Sequence, residues 1–574
     1  MCLALRNVLF AACVIFMFFS FSPGAEYYPN TKTNINPNQK MEWWQNAKFG
    51  IFISWNPSSL TGMEMGWSRG GCRAGFPEEL QPKAGEAIPA YIYDNLYKQF
   101  DPILFNARQW IQYVKESGAK YIIFTTKHHD GFCFFDTQLT DYKITSPLSP
   151  FGRDITAELA KACQEAGIKI FWYYSPTDWY HPDFCSDNHA RYVEYMHGQI
   201  KELCSNYGKI DGIWFDNQTP TSYDTEKLFS MMRSLQPNII INNRCGSAAD
   251  FDTPEGVVGR FQVDRPWESC IPMGTQWSWR SQDKLKSSNE CITTLIQCAG
   301  GGGNLALDIA PVPDGKIEQR QVERLKNIGQ WLEKYGQTIY GTSGGPFKPC
   351  KWAASTYRDN NIFLHLFGWR DGEVKLPPIN NKIISAKLLT GGKMEFRQND
   401  TEIVLSVPQE NRHDIDTIVE ITIDGSAKDI VPVNLSSGSL AFTKPASASS
   451  TYNMDFSADK AFDDDDSTRW AAADSNDARQ SRLEVDLGQE QTISVILISE
   501  FGSKIQSYEL QQEVENEWKT FHSGTTIGIR HTIMLPMPVA AQKVRLNILK
   551  SSENSPSIYE LQLFDSQLAE LWKD

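Results

Sequence analysis

The 574-residue chain has no excess of basic residues, no paired-cysteine motif and, past its first 25 residues, no apolar run that could span a bilayer. Each absence removes a class of function. A formal charge of −14 leaves no basic surface of the kind that nucleic acid or an anionic membrane rewards. Twelve cysteines are present, two within the first 25 residues and ten between Cys72 and Cys350. They form no C-x-x-C pair and no Cys/His spacing suited to zinc. In their apolar contexts they read as buried thiols, with one or two disulfides admissible after export. There are no internal repeats.

What is present begins with a leader. "MCLALRNVLFAACVIFMFFSFSPGA" carries one early cation, Arg6, then an apolar core, then small residues at Gly24 and Ala25. This predicts a secretory signal over 1–25 and a soluble mature protein, secreted or periplasmic. The length is too great for one core and predicts two to four domains. From 26 to 344, short apolar strands such as "KFGIFISW", "KYIIFTTK", "KIFWYYS", "DGIWFDN" and "NLALDIAP" alternate with amphipathic stretches such as "DITAELAKACQEAG". That alternation predicts a (β/α)8-like (TIM) barrel. A doubly wound sheet would carry a glycine-rich phosphate turn after its first strand, and "SWNPSS" is not one. Residues 345–430 read as a small antiparallel β-sandwich. A Ser/Thr-rich linker follows at 431–440, and a second all-β unit fills 441–574.

In such barrels chemistry sits at the C-terminal ends of the strands. Here those ends carry Lys127, His128, His129 and Asp130, then Tyr173, Tyr174 and Ser175, then Asp216, then Arg244. Asp216 closes the apolar run "GIWF", and strand alternation puts Trp214 on its face. An acid beside an aromatic plate suits a sugar, and glycoside hydrolysis needs two carboxyl groups flanking a bond. Glu255 and Glu268 are the two glutamates that follow within reach in the chain. Residue types alone leave Asp216 as either a turn residue or a catalytic group. Seventeen tryptophans fit sugar stacking and core filling alike.

The strings are more specific than the residue types. "WWQNAKFGIFISWNPSSL", "GAKYIIFTTKHHDGFCFFDT", "FWYYSPTDWY", "DGIWFDN" and "GGGNLALDIAPVPDG", in that order over 40–340, resemble the α-L-fucosidase family, glycoside hydrolase family 29. The resemblance implies retaining hydrolysis through a covalent glycosyl-enzyme, without a cofactor, on a fucosylated glycan. It implies Asp216 as nucleophile, with His128, His129, Tyr173, Trp214 and Arg244 around the sugar. For the acid/base it favours Glu255, in "DFDTPE", over Glu268, in "RPWESC". Trp277 would close the pocket, and Glu64 and Trp67, in "MEMGWSRGG", would touch the sugar. One departure stands out: the family's first strand reads "IHWG", and "ISWN" puts Ser54 where its sugar-binding histidine would be. A hydroxyl is shorter and cannot become cationic. Ser54 therefore admits a different sugar, or a sugar-binding protein without activity, as the alternative readings.

The last unit, from "ASASSTYNMDFSADKAFDDDDSTRWAAA" to "IYELQLFD", resembles the F5/8 type C, or discoidin, fold. That resemblance implies a carbohydrate-binding-like module with a structural calcium. Asp463, Asp466, Thr468 and Glu560 are oxygen donors of the right kind, and "DDDD" as a plain solvated turn is the other reading.

Overall fold

The computed structural model describes residues 41–76, 81–82, 87–217, 222–369, 373–465, 468–474, 480–528 and 530–565. The leader over 1–25 and Asp466 lie outside the described residues. Among those described, no helix is long and apolar enough to cross a membrane. The chain divides into two compact units, one spanning 28–344 with 356–358, the other 345–355 with 359–574.

The first unit is built on seven parallel strands: β1 Phe49–Ile53, β2 Tyr121–Lys127, β3 Lys169–Tyr174, β4 Gly212–Phe215, β5 Ile240–Ile241, β6 Glu268–Pro272 and β7 Asn304–Ile309. Their order is β5-β4-β3-β2-β1-β7-β6. An irregular stretch closes the ring between β5 and β6. Phe251 bridges Asn242, Asp252 bridges Trp267 and Glu255 bridges Cys270, each in the parallel sense. Residues 250–255 thus act as an eighth stave too irregular to be a regular strand. Burial on both faces explains the unbroken apolar runs: every residue of β1, β2, β4 and β7 is buried.

Helices Ile155–Ala166, His189–Asn206, Thr225–Leu235 and Ser288–Gly300 connect successive strands, and Gln319–Tyr335 follows β7. Local sequence sets their limits. Asp154 caps the first, and Gly167, at φ 74°, ends it in the left-handed region that glycine tolerates. Ser287 and Glu290 form a reciprocal capping box before Ser288–Gly300.

Inside the ring, Phe52, Tyr121, Ile123, Phe171, Tyr173, Trp214, Ile240, Cys270 and Ala306 form one buried cluster. Their spacing by two along each strand sets the inward parity of every strand end. Cys133, Cys163, Cys204, Cys245, Cys270, Cys291 and Cys298 are buried thiols outside any disulfide.

In the second unit, Ile383–Leu388, Thr417–Ile423 and Asn361–Leu366 lie side by side in one sheet, and Glu373–Leu376, Ile403–Ser406 and Glu395–Gln398 make another. Farther along, Ser481–Glu500, Ile505–Val514, Glu517–Gly524, His531–Ser551 and Ser557–Phe564 form an antiparallel sheet around buried Trp470, Leu483, Val544 and Leu561.

Candidate active site

Parity carries the even-numbered residues of β4 inward, so Trp214 lines the interior and Asp216 emerges just past the strand end. Asp216 is buried and its carboxylate is held on both oxygens. The Tyr173 hydroxyl donates to Oδ2 at 2.7 Å, and Arg244 Nη2 donates to Oδ1 at 2.7 Å. The other arm of the same guanidinium, Nη1, donates to Glu255 Oε2 at 2.8 Å. One arginine therefore spans the two carboxylates. They differ in access: the Asp216 side chain is 11% exposed and that of Glu255 is 43% exposed.

Aromatic rings stack beneath the pair. Tyr173 lies nearly parallel to Trp214, with centroids 5.7 Å apart, and to His128 at 5.8 Å. The Arg244 guanidinium sits 5.2 Å from the Trp214 ring centroid. The guanidinium thus borders both the carboxylates and the aromatic floor.

His128 and His129 follow β2 directly, and both are buried. His129 Nδ1 lies 2.6 Å from the Ser175 hydroxyl, which itself donates to the Thr177 carbonyl. The other His129 nitrogen, Nε2, points at Asp216, 3.6 Å from Oδ2. Burial pushes the His129 imidazole down to about 4 although Asp216 opposes the shift. Burial, then the neighbouring His129 and Lys127, hold His128 well below its ordinary value. Both rings are neutral near pH 7. Among the described residues, His129 Nε2 and His128 Nδ1 have no hydrogen-bond partner. A buried, unpartnered ring nitrogen is costly unless a ligand group meets it, and a sugar hydroxyl can do so. The close packing at His128 also explains Gly66: a Cβ there would lie 2.3 Å from His128 Nδ1.

Glu64 and Trp277 meet across the mouth. The Glu64 carboxylate accepts the backbone N–H groups of Trp277 at 2.9 Å, Ser278 at 3.1 Å and Met65 at 2.8 Å. It ties two loops together and holds the Trp277 ring beside Phe52, with centroids 6.0 Å apart. Trp67 packs edge-on to His129 and to Trp179. Ser54, one residue past β1, is buried and faces inward two positions after Phe52.

Glu268 is a correction. It opens β6, level with Asn304 at the start of β7, and accepts from the Tyr121 hydroxyl at the start of β2 and from Trp214 Nε1 at 3.1 Å. It lies inside the barrel at the end opposite the chemistry, and burial pushes its carboxyl up to about 7. Three other strand-end groups also turn away from the mouth. Lys127 pairs with Asp178, Tyr174 donates to Gln199, and Asp130 accepts from Tyr93. The residues that sequence reasoning missed are Trp179, whose proximity to His129 depends on a loop crossing, and Asp308 on β7. Parity in "NLALDIAP" was a signal for the latter, since Asp308 pairs in register with inward-facing Phe52.

A carboxylate pair at the mouth of a (β/α) barrel, over an aromatic floor, is the equipment of a glycoside hydrolase. The α-L-fucosidase family model matches residues 19–337, and the F5/8 type C domain model matches 445–561. An α-L-fucosidase of Dictyostelium discoideum is 26% identical over 406 residues, 64% of this chain and 86% of that protein. Among solved structures, α-L-fucosidase isoenzyme 1 from Paenibacillus thiaminolyticus is 30% identical with a TM-score of 0.58, covering 67% of this chain and 98% of that one. Thermotoga maritima α-fucosidase in complex with fucose is 27% identical with a TM-score of 0.56, covering 66% and 96%. The chain belongs to the α-L-fucosidase family, glycoside hydrolase family 29, and carries an F5/8 type C domain.

Proposed function

We propose that this protein is an exported, retaining exo-α-L-fucosidase that releases terminal α-L-fucosyl residues from glycans. The observation that carries the reading is the single arginine spanning a buried aspartate and a more exposed glutamate. Retaining chemistry needs a close pair, about 5–5.5 Å between carboxyl groups. Asp216 attacks the anomeric carbon while the bond to the leaving oxygen breaks, and Glu255 gives that oxygen its proton. Glu255 then takes a proton from water, whose oxygen displaces Asp216 from the sugar. Exposure suits Glu255 to this exchange with solvent, and the fixed carboxylate of Asp216 suits attack. The unpartnered nitrogens of His128 and His129 would receive sugar hydroxyls. The T. maritima relative crystallised with fucose supports that sugar.

Expressed in full, the chain is expected outside the cytoplasm with a new N-terminus near Glu26, and it should hydrolyse aryl α-L-fucoside in preference to other aryl glycosides. Preference for another glycoside would move the substrate away from fucose, as Ser54 in place of a histidine allows. Inertness toward the whole panel would leave a sugar-binding protein.

The F5/8 type C unit offers an oxygen-only donor set. Thr468 Oγ1 lies 2.9 Å from both carboxylate oxygens of Asp463, and Glu560 accepts the Asp465 N–H at 3.0 Å. Such hard donors fit calcium, which would be structural and take no part in hydrolysis. Calcium should raise the melting temperature of the protein, and Glu560→Gln should abolish that rise. An equal rise in the variant would exclude this site.

A further inference from the structure

Two buried polar groups at the barrel mouth remain outside the scheme above. Asp308 pairs in register with Phe52 on one side and Pro272 on the other, and so shares their inward face. Ser54 occupies the same face two residues beyond Phe52, where its N–H donates to the Ile309 carbonyl at 3.1 Å. Asp308 is 2% exposed and Ser54 1% exposed. The Ser54 hydroxyl and backbone N–H are near enough to favour charge on Asp308, yet among the described residues Asp308 Oδ1 and Ser54 Oγ have no partner in hydrogen-bonding geometry. Asp308 also borders a small cleft lined by Gly274, Gln276 and Ser278, the loop that Glu64 ties over the mouth.

We infer that Asp308, with Ser54 beside it, is a substrate-contacting residue that receives one ring hydroxyl of the sugar and helps set which sugar is accepted. The inference rests on the proposed glycosidase reading. Burial, reinforced by the nearby Glu64 carboxylate, holds the Asp308 carboxyl well above its ordinary value despite Ser54. Burial thus favours its protonated form, which can donate one hydrogen bond and accept another. Ser54 is a short side chain, and it leaves room for the strand next to it to supply the polar contact. A carboxylic acid donating from β7 fills that role. Polar atoms this deep without a well-formed hydrogen bond cost stability unless a ligand group meets them.

The test is a cycle between protein and substrate. Wild type, Asp308→Leu and Asp308→Asn are assayed on aryl α-L-fucoside and on its 2-, 3- and 4-deoxy analogues. Asp308→Leu should lower kcat/KM on the parent about 10- to 100-fold, the scale of leaving a buried polar partner unmet. On one deoxy analogue the same variant should show almost no further loss, and that analogue identifies the hydroxyl. Asp308→Asn, which keeps a donor and an acceptor, should restore the parent rate to within about threefold. Equal losses on the parent and all three analogues would overturn the inference and leave Asp308 a packing residue. Should the leucine variant not fold, Asp308→Ala takes its place: a loss on the parent that vanishes on one deoxy analogue supports the contact, and equal losses on the parent and all three analogues refute it. Wild type inert toward the parent, with no calorimetric binding of L-fucose, removes the glycosidase reading and this inference with it. Active wild type without coupling removes this inference alone.

Discussion

Asp216→Gly is expected to reduce hydrolysis of aryl α-L-fucoside by about 10,000-fold or more, the scale on which removal of a catalytic nucleophile is felt. Azide should then restore cleavage. The substitution removes the carboxylate that Tyr173 and Arg244 hold, and it leaves a gap on the face from which the sugar would be attacked. Azide entering that gap attacks the anomeric carbon once, so the product is a fucosyl azide of inverted configuration. Folding should survive. Asp216 lies past the end of β4 rather than in the apolar cluster, and Arg244 keeps Glu255 as a partner. The measurements are steady-state rates with and without azide, product stereochemistry by NMR, and a melting curve for the variant. Activity within tenfold of wild type, or a complete loss that azide leaves untouched in a folded variant, would remove Asp216 from the nucleophile's role.

The strand ends were readable because a parallel barrel hides each strand from water on both sides. "KYIIFTTKHH" and "GIWFD" therefore announce where apolar wall becomes mouth. The eighth stave was not readable. Residues 250–255 are held by isolated bridges, and "DFDTPE" mixes acids with proline in a way that looks like any loop. Its effect is nevertheless decisive, since the bridge from Glu255 to Cys270 fixes the backbone beneath the carboxylate facing Arg244. Glu268 exposes another limit of pattern reading. An acid that opens a strand and an acid that closes one look alike until the boundary is known. Trp267 precedes β6, so Glu268 falls at the start of the strand, deep in the barrel. Asp308 is masked by a run that reads as uniform core, and its face follows from alternation with Ala306 and from register against Phe52.

The two glutamates can be told apart by what each loses on conversion to glutamine. Glu255→Gln should lower kcat on a natural fucoside by about 100- to 10,000-fold, the range for loss of general acid–base assistance. The loss should shrink on a dinitrophenyl fucoside, whose leaving group needs no proton, and the basic limb of the pH–rate profile should disappear. Glu268→Gln should change these rates less than tenfold, because the carboxyl meets Tyr121 and Trp214 and not the open mouth. Its signature is in stability. Burial raises the folded-state pKa from 4.5 to about 7, so the folded protein binds the extra proton between those values. Stability associated with this group is then full below pH 4.5 and declines as pH rises through 7. At 1.36 kcal/mol per pKa unit the decline is at most about 3 kcal/mol. Glutamine cannot ionise, so the variant should lose less stability than wild type over that window, as read by chemical denaturation at a series of pH values. Parallel stability curves would mean that Glu268 does not titrate there. A leaving-group-dependent rate loss in Glu268→Gln, with none in Glu255→Gln, would reverse the assignment of the acid/base.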